Sequence, residues 1–250
     1  MIDRSPEERK RRVLRLSRLL YAAVTVSFVL PIVFLVFRLT REAPGTGTVG
    51  LHSEADYVLM LVECLLGLVV INLPTLLARK FRFEVPLFLY ILYILFLYCA
   101  IFLGEVRSFY YLIPHWDVVL HAFSSMMTGF FGMMAVTILN RDEHLVMNLS
   151  PFFISLFAFS FAVTIGTVWE IYEFSCDGLL GLNMQKFTTA EGTVLVGRAA
   201  LSDTMKDLIV DTLGALLSSA IGFLSLRFNK KWFVPVLTDE AETEADREET

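Results

Sequence analysis

Residues 85 to 104 read VPLFLYILYILFLYCAIFLG, twenty consecutive residues without one charged side chain. A transmembrane α-helix needs about 20 apolar residues to cross a hydrocarbon core roughly 30 Å thick. An uncharged run of this length is typical of a membrane span rather than of a helix buried in a soluble domain. The stretch therefore predicts a membrane-spanning helix.

The composition of the whole chain agrees with this interpretation. Of its 250 residues, 56% are hydrophobic and 19% are charged, and 22 are phenylalanine. Soluble domains average about one quarter charged residues, and one domain of this length has too little interior to bury so many apolar side chains. The composition argues against a water-soluble globule and predicts an all-α, multi-pass membrane protein.

Five further stretches are long and apolar enough to cross a bilayer. The six predicted spans cover about residues 19 to 38, 55 to 78, 85 to 104, 117 to 139, 151 to 174 and 207 to 228. The first span follows a basic segment, but it is too long for a cleaved signal peptide and lacks a small-residue cleavage site. The prediction is an integral membrane bundle of about six helices, residues 19–232. Its first span is predicted to be an uncleaved signal anchor that stays in the membrane.

Basic residues predict how this bundle is oriented. Cytoplasmic loops are enriched in lysine and arginine, and if the N-terminus is cytoplasmic, that side holds fifteen of the 21 basic residues. Six spans then place both termini in the cytoplasm, and the protein in the cytoplasmic membrane. The longest internal connection, predicted at residues 175–206, faces the extracytoplasmic side, and a loop of that length is typical of a functional region.

The two ends of the chain differ from the membrane domain. Residues 1–18 are rich in arginine and are predicted to form a basic juxtamembrane segment on the cytoplasmic side. Residues 239 to 250, DEAETEADREET, hold seven acids and one arginine, a charge of −6 against a net −5 for the whole chain. Because a short charged segment without aromatic residues buries too little surface to fold, residues 233–250 are predicted to be a disordered acidic tail.

Ionisable residues gather at one end of three predicted helices. Charged side chains are costly at membrane depth, so those present there are candidates for function. In WDVVLHAFSS, Asp117 and His121 lie four residues apart and share a helical face. In TVWEIYEFSCD, Glu170 and Glu173 stand at the predicted C-terminus of a helix, where the macrodipole disfavours negative charge.

The last predicted span continues the pattern. SDTMKDLIVDTLGA places Asp203, Asp207 and Asp211 at intervals of four residues, and therefore on one helical face over about 12 Å. Asp117 and Asp203 have a simpler explanation as acids stabilised at helix N-termini. Asp207 and Asp211 have one as a proton-sharing pair that holds helices together. The common depth of all these groups nevertheless predicts that they converge on one pocket.

Carboxylates combined with one imidazole suit a hard or borderline divalent cation such as Mg, Mn, Fe(II) or Zn. The candidate metal ligands are His121, Glu170, Glu173, Asp203, Asp207 and Asp211. The candidate catalytic residues are Asp117, His121, Glu170 and Glu173. A metal there would activate water against a phosphoryl or acyl centre, with a spare carboxylate as general base. Lys186 and Arg198 are weaker candidates for contacts with an anionic headgroup.

Three segments carry a resemblance to uncharacterised bacterial multi-pass proteins of the YjdF-like and VanZ-like type. The segments are DVVLHAFSS, WEIYEFSCD and GRAALSDTMKDLIVDTLGA, which lie between about residues 116 and 217. The first resembles the Asp-x-x-x-His stripe of that group. The resemblance implies a helical membrane protein but assigns no reaction. The polar positions that it marks as a candidate site are Asp117, His121, Glu170, Glu173, Asp203, Asp207 and Asp211.

Three functions are compatible with these observations. The leading hypothesis is an outward-facing acidic pocket that binds a divalent metal and hydrolyses or modifies a lipid or lipid-linked envelope substrate. One alternative is a proton-coupled transporter whose relay includes Glu63, His121, Asp207 and Asp211, and another is a non-catalytic scaffold held together by its acids. The inner halves of the predicted spans are nearly uncharged, which argues against a relay. No Walker A motif or Rossmann glycine fingerprint occurs, and no conspicuous extramembrane domain is predicted beyond the tails and the one long loop. Neither ATP-driven transport by this chain alone nor nucleic-acid binding is therefore supported.

Overall fold

Long apolar runs give long helices in this chain. The computed structural model describes residues 6–41, 54–81, 85–139, 149–189 and 192–228. Its helices are α1 (Pro6–Arg41), α2 (Glu54–Val70), α3 (Leu73–Phe81), α4 (Leu87–Leu97), a π-helix (Tyr98–Val106), α5 (Phe109–Leu112), α6 (Trp116–Leu139), α7 (Pro151–Leu180) and α8 (Arg198–Arg227). Within the described ranges, the β-type pairing consists of one isolated bridge. The predicted acidic tail, residues 233–250, lies outside these ranges.

Six helical stretches in the described residues are long and apolar enough to cross a membrane. They are Leu14–Arg38, Asp56–Lys80, Leu87–Val106, Trp116–Thr137, Pro151–Leu180 and Arg198–Arg227. This confirms the predicted all-α class and the six spans, and the direction in which the spans cross remains a prediction.

The second span is interrupted between α2 and α3. Pro74 lacks an amide hydrogen, so it cannot donate to the Val70 carbonyl four residues earlier. The Asn72 side chain makes two hydrogen bonds at this interruption. Its Nδ2 donates to the Leu68 carbonyl at 2.9 Å, and its Oδ1 accepts from the Tyr21 hydroxyl at 2.9 Å. The amide at position 72 therefore joins α1 to the interrupted helix.

The third span changes from an α-helix to a π-helix at Tyr98. The wider turn is marked by a hydrogen bond from the Arg107 amide to the Phe102 carbonyl at 2.9 Å. A Cβ atom at Gly104 would overlap the ring of Tyr110, so glycine lets this ring pack directly on the π-helix. Because π-helical turns are rare and frequently lie near functional sites, the next residue, Glu105, is a candidate for function.

Helices α6, α7 and α8 pack against one another through small residues. The buried face of α8 beyond its aspartates consists of Gly214, Ala215, Ser218, Ser219, Gly222 and Ser225. In lipid, helix association depends on close approach of the backbones. A Cβ at Gly214 would overlap the Ser125 hydroxyl of α6, and one at Gly129 would overlap the Ser218 hydroxyl of α8. The three helices therefore form a tight sub-bundle.

The other half of the bundle is held by larger apolar side chains. Residues of α1, α2, α4 and α6, with the turn after α2, build this buried core, which consists of Val24, Phe28, Cys64, Ile71, Tyr93, Ile94, Leu97 and Met127. Tyr93 is the one tyrosine in this group, and its hydroxyl donates a hydrogen bond to the Val70 carbonyl at 2.7 Å. The core fixes the first three spans against α6.

The fifth and sixth spans are longer than predicted. Helix α7 continues to Leu180 and ends at Gly181, whose φ of 66° gives the left-handed C-terminal cap that glycine adopts readily. Helix α8 begins at Arg198. The connection therefore covers residues 181–197 rather than 175–206. The predicted ends were wrong because hydropathy falls around Asp177, Asp203 and Lys206, whereas the helices continue through these residues.

The loop at residues 181–197 is anchored across one end of the bundle. The Asp177 carboxylate accepts hydrogen bonds from the backbone amides of Met184 at 2.7 Å and Gln185 at 3.0 Å. Leu182 and Met184 are buried against Leu59 of α2. This end of the bundle is named the loop end, and the anchoring carries Lys186 into its interior.

Replacing Asp177 by alanine is expected to loosen this loop. Two backbone amides lose their acceptor, which costs about 1 to 3 kcal/mol of local stability. Limited proteolysis in detergent should then cut within residues 181–197 about tenfold faster. The control is Ser175→Ala, which removes an exposed hydroxyl bonded to its own helix; equal cleavage rates in the two variants would contradict the anchoring role.

Candidate functional site

His121 and Asp211 form the centre of the polar cluster. The His121 Nδ1 lies 3.3 Å from both carboxylate oxygens of Asp211, and the two residues are 7% and 3% exposed. A Cβ at Gly166 of α7 would overlap the Asp211 carboxylate, so the pair depends on a glycine opposite it. A carboxylate beside Nδ1 favours a proton on that nitrogen and leaves Nε2 as the lone-pair donor.

The Nε2 side of the imidazole faces Asp117, and Asp207 lies near both residues. His121 Nε2 lies 3.8 Å from Asp117 Oδ1. One potential ligand atom from each of Asp117, His121 and Asp207 lies within 4.8 Å of the other two. Ligands about 2.0–2.2 Å from one ion lie at most about 4.4 Å apart, so a small adjustment would bring these three residues, named the triad, around a single cation.

Lys186 supplies positive charge beside the triad. Its ammonium bonds to Asp117 Oδ2 and lies 3.7 Å from Asp203 Oδ2. Burial opposes the charged form, but the carboxylates of Asp117 and Asp203 prevail and raise the pKa of Lys186 above its ordinary value. The side chain is therefore an ammonium at every physiological pH, and Asp203 pairs with it rather than joining the triad.

Glu170 is the least satisfied acid of the cluster. Its side chain is on α7, it is 4% exposed, and neither carboxylate oxygen has a hydrogen-bond partner among the described residues. His121 and Asp211 are among the groups that act on it electrostatically. A buried polar group without partners costs several kcal/mol, whereas an acid that merely joined helices would have a partner. The position therefore points to a chemical role.

A cavity of about 280 Å³ adjoins this cluster inside the bundle. Asp117, His121, Glu173, Lys186 and Asp211 line its polar end. Its remaining walls are largely apolar and include Leu66, Val70, Leu97, Ile101, Met127 and Ile165. The cavity combines a charged end with a hydrocarbon interior, the arrangement that an amphiphilic molecule requires.

Glu173 and Arg198, two further predicted site residues, lie outside the triad. The Glu173 carboxylate accepts the Trp169 indole N–H at 2.9 Å. Because α7 extends to Leu180, the prediction that Glu170 and Glu173 lie at a helix C-terminus is wrong, and the dipole argument, which holds within the last turn, does not apply to them. Arg198 is exposed at the start of α8 and does not line the cavity.

Two residues of the cavity were missed by the sequence analysis. Glu105 follows the predicted span 85–104 directly, and its signal was a lone acid after a long apolar run. Tyr110 resembled part of an interfacial aromatic belt. Both line the cavity, and burial, followed by the carboxylates of Glu63 and Asp117, raises the pKa of the Tyr110 phenol well above its ordinary value. Tyr110 is therefore a neutral hydroxyl among acids.

Comparisons with known proteins agree with the membrane architecture. A family model described as "Predicted membrane protein (DUF2238)" matches residues 32–228. An uncharacterized protein of Thermotoga maritima is 32% identical over 121 residues, which are 48% of this chain and 53% of that protein. The match thus spans about half the length of that relative. No solved structure matches the chain.

The family match covers more than half of the chain and includes every residue of the cluster. It supports the YjdF-like part of the resemblance, since DUF2238 is the YjdF-like family, whereas the VanZ-like name is not confirmed. Neither description names a reaction, a ligand or a partner. The chain belongs to the DUF2238 family of predicted membrane proteins.

Proposed function

We propose that this protein is an enzyme of the cytoplasmic membrane that uses a divalent cation held by Asp117, His121 and Asp207. The observation that carries the proposal is the triad itself, with one ligand atom from each residue inside a 4.8 Å group. Asp211 lies behind the imidazole as the orienting carboxylate that metal-binding histidines commonly have. One imidazole and two carboxylates suit Zn, Fe(II) or Mn, and Mg less well.

The residues around the triad support hydrolytic chemistry. A divalent cation there would supply a polarised, activated water. Glu170, buried and without a hydrogen-bond partner among the described residues, is the carboxylate best placed to accept a proton from that water. Lys186 neutralises one oxygen of Asp117, which limits the excess of negative charge. The reaction class that fits is attack of water on a phosphoryl or acyl centre.

The cavity supports a lipid or lipid-linked substrate. Its apolar walls lie between membrane spans and its polar end reaches the triad through Asp117 and His121, so a hydrocarbon chain in the cavity would bring its headgroup to the cation. The distribution of basic residues predicts that the loop end lies on the extracytoplasmic side. The substrate would then belong to the outer leaflet or the cell envelope.

A proton relay across the membrane receives less support. Between Asp211 and Arg227, α8 carries no ionisable residue. Two buried hydroxyls further along the bundle bond within their own helices, that of Thr137 to the Met133 carbonyl at 2.8 Å and that of Ser218 to the Ala215 carbonyl at 3.0 Å. In the described part of the chain, the ionisable cluster is thus confined to the loop end.

Metal analysis of two matched variants tests the proposal. Asp207→Asn removes a triad ligand, whereas Asp203→Asn alters an aspartate one turn earlier on α8 that pairs with Lys186. After reconstitution with Zn, Mn or Fe(II), the wild type and Asp203→Asn should bind about one ion per chain. Asp207→Asn should bind the same ion at least about tenfold more weakly.

Two results would contradict the metal proposal. One is a wild-type protein that binds none of these ions at micromolar concentration in detergent. The other is equal affinity in Asp207→Asn and Asp203→Asn, because an ion bound without Asp207 would lie elsewhere. Circular dichroism of both variants shows whether the helices are retained.

A further inference from the structure

Three carboxyl groups that the triad does not use face the same cavity. Glu63 of α2, Glu105 of the π-helix and Glu173 of α7 all line it, and both Glu105 and Glu173 are near enough to act on Glu63 electrostatically. Glu63 and Glu105 have no hydrogen-bond or ion-pair partner within the residues that the structure describes, whereas Glu173 accepts the Trp169 bond. Three acids from three separate elements therefore meet without a cation of their own.

A small metal ion does not explain this second group of acids. Among the described residues, the set whose ligand atoms all come within 4.8 Å is the triad. The three glutamates are more widely spaced than one ion requires, since its ligands lie within about 4.4 Å of one another. A larger organic cation, which contacts carboxylates and aromatic faces through its hydrogens, matches such spacing better.

Lys186 shows that this part of the cavity accommodates an ammonium group. Its Nζ lies 5.0 Å from the centre of the Tyr110 ring, a cation–π geometry, and bonds to Asp117 and Asp203. The direct ion pairs of Lys186 are to these two aspartates, and it acts on Glu63 and Glu105 only at longer range. The acids on this wall therefore outnumber its cations, so a second ammonium group would be electrostatically favourable there.

The charges of the cavity wall also argue against a headgroup with a net negative charge. Five carboxyl groups line the cavity, against the two basic side chains Lys186 and His121. The volume, about 280 Å³, lies just below the usual range for ligand pockets, about 300–1,000 Å³, which suits one hydrocarbon chain better than two.

We propose that the cavity binds a single-chain amphiphile with an ammonium headgroup, its nitrogen among Glu63, Glu105 and Tyr110. Its chain lies along the apolar wall that includes Val70 and Met127. The inference names the substrate chemistry of the proposed function, and it rests on that function only for the reaction that the bound molecule undergoes. Binding itself requires no metal, and the two proposals can fail separately.

A binding experiment in a nonionic maltoside detergent with a chelator present tests this inference. The probes are an alkylammonium, an alcohol and an alkyl sulfate of equal chain length, each brominated on the chain close to the headgroup so that it quenches Trp169, which lies beside Glu173 on the cavity wall. The ammonium should bind about tenfold more tightly than the alcohol, and the sulfate more weakly than either.

Variants identify the residues responsible. In Glu63→Gln/Glu105→Gln the ammonium should fall to the affinity of the alcohol, while the alcohol binds as before and so reports an intact cavity. Asp207→Asn, which removes a triad ligand that does not line the cavity, should keep the wild-type preference for the ammonium.

Equal affinities of the three probes, or an ammonium preference that survives Glu63→Gln/Glu105→Gln, would overturn the inference. Either result would leave the metal proposal intact if Asp207→Asn still loses the ion. Conversely, a preserved ammonium preference in a protein that binds no metal would support the cavity ligand and refute the metal-dependent reaction.

Discussion

Replacing Glu170 by methionine is expected to stabilise the metal-free protein and to abolish its function. The carboxylate is 4% exposed and its oxygens have no hydrogen-bond partner in the described residues, so an apolar side chain of similar length relieves a burial cost of about 1 to 3 kcal/mol. Thermal unfolding in detergent with a chelator should show a midpoint several degrees higher, about 2–4 °C per kcal/mol for a protein of this size. Cellular function should be lost because the proton acceptor is gone.

Glu173→Met is the matched control for this experiment. It lies one turn later on the same helix, but its carboxylate accepts the Trp169 indole N–H, so its removal leaves that donor without a partner and gives no comparable stabilisation. A lower unfolding midpoint for Glu170→Met would instead support the scaffold hypothesis, in which the acids hold the helices together. The sign of the change therefore separates an enzyme from a scaffold.

Alanine at Gly214 is expected to separate α8 from α6 and to disrupt the triad. The added Cβ would overlap the Ser125 hydroxyl and lie 3.0 Å from the backbone carbonyl of Ala122, which cannot move without its helix. Overpacking of this kind costs about 1 to 3 kcal/mol. Because Ala122 follows His121 directly, the shift also moves the imidazole from Asp211, and metal affinity should fall together with the unfolding midpoint.

Gly222→Ala on the same face of α8 provides the comparison. There the added Cβ would meet the terminal atoms of the Met133 side chain, which can adopt another rotamer at low cost. Alanine also favours a helix over glycine by about 1 kcal/mol, so the variant should unfold within about 1 kcal/mol of the wild type. Equal destabilisation by both alanines would show that the backbone contact at Ala122 is not limiting.

The sequence predicted the spans well because hydropathy is a local sum over about twenty residues. It also predicted which acids share a helical face: the spacing of four in Asp117 and His121, and again in Asp207 and Asp211, follows from 3.6 residues per turn. These four residues do come together at one end of the bundle. Periodicity within one helix was sufficient for that part of the site.

Other parts of the site depend on contacts between distant segments, which periodicity does not contain. Lys186 enters the cluster because Asp177 and buried residues anchor its loop. The course of that loop cannot be read from the composition of the sequence. Glu105 faces the cavity from a π-helix, which rotates it relative to an α-helical register. Glu170 and Glu173 were assigned to a helix end because charged residues lower the mean hydropathy there. The backbone hydrogen bonds of α7 nevertheless continue beyond both residues.

The small, polar face of α8 has a consequence for biogenesis. An aspartate at the centre of an isolated helix raises the cost of membrane insertion by about 2.5 to 3.5 kcal/mol, and α8 carries Asp207 and Asp211 on a face with no large apolar residue. The partner of Asp211 is 90 residues earlier in the chain, on α6. The translocon therefore releases α8 most favourably against helices already inserted, so the polar cluster is complete only after α8 has joined α6 and α7.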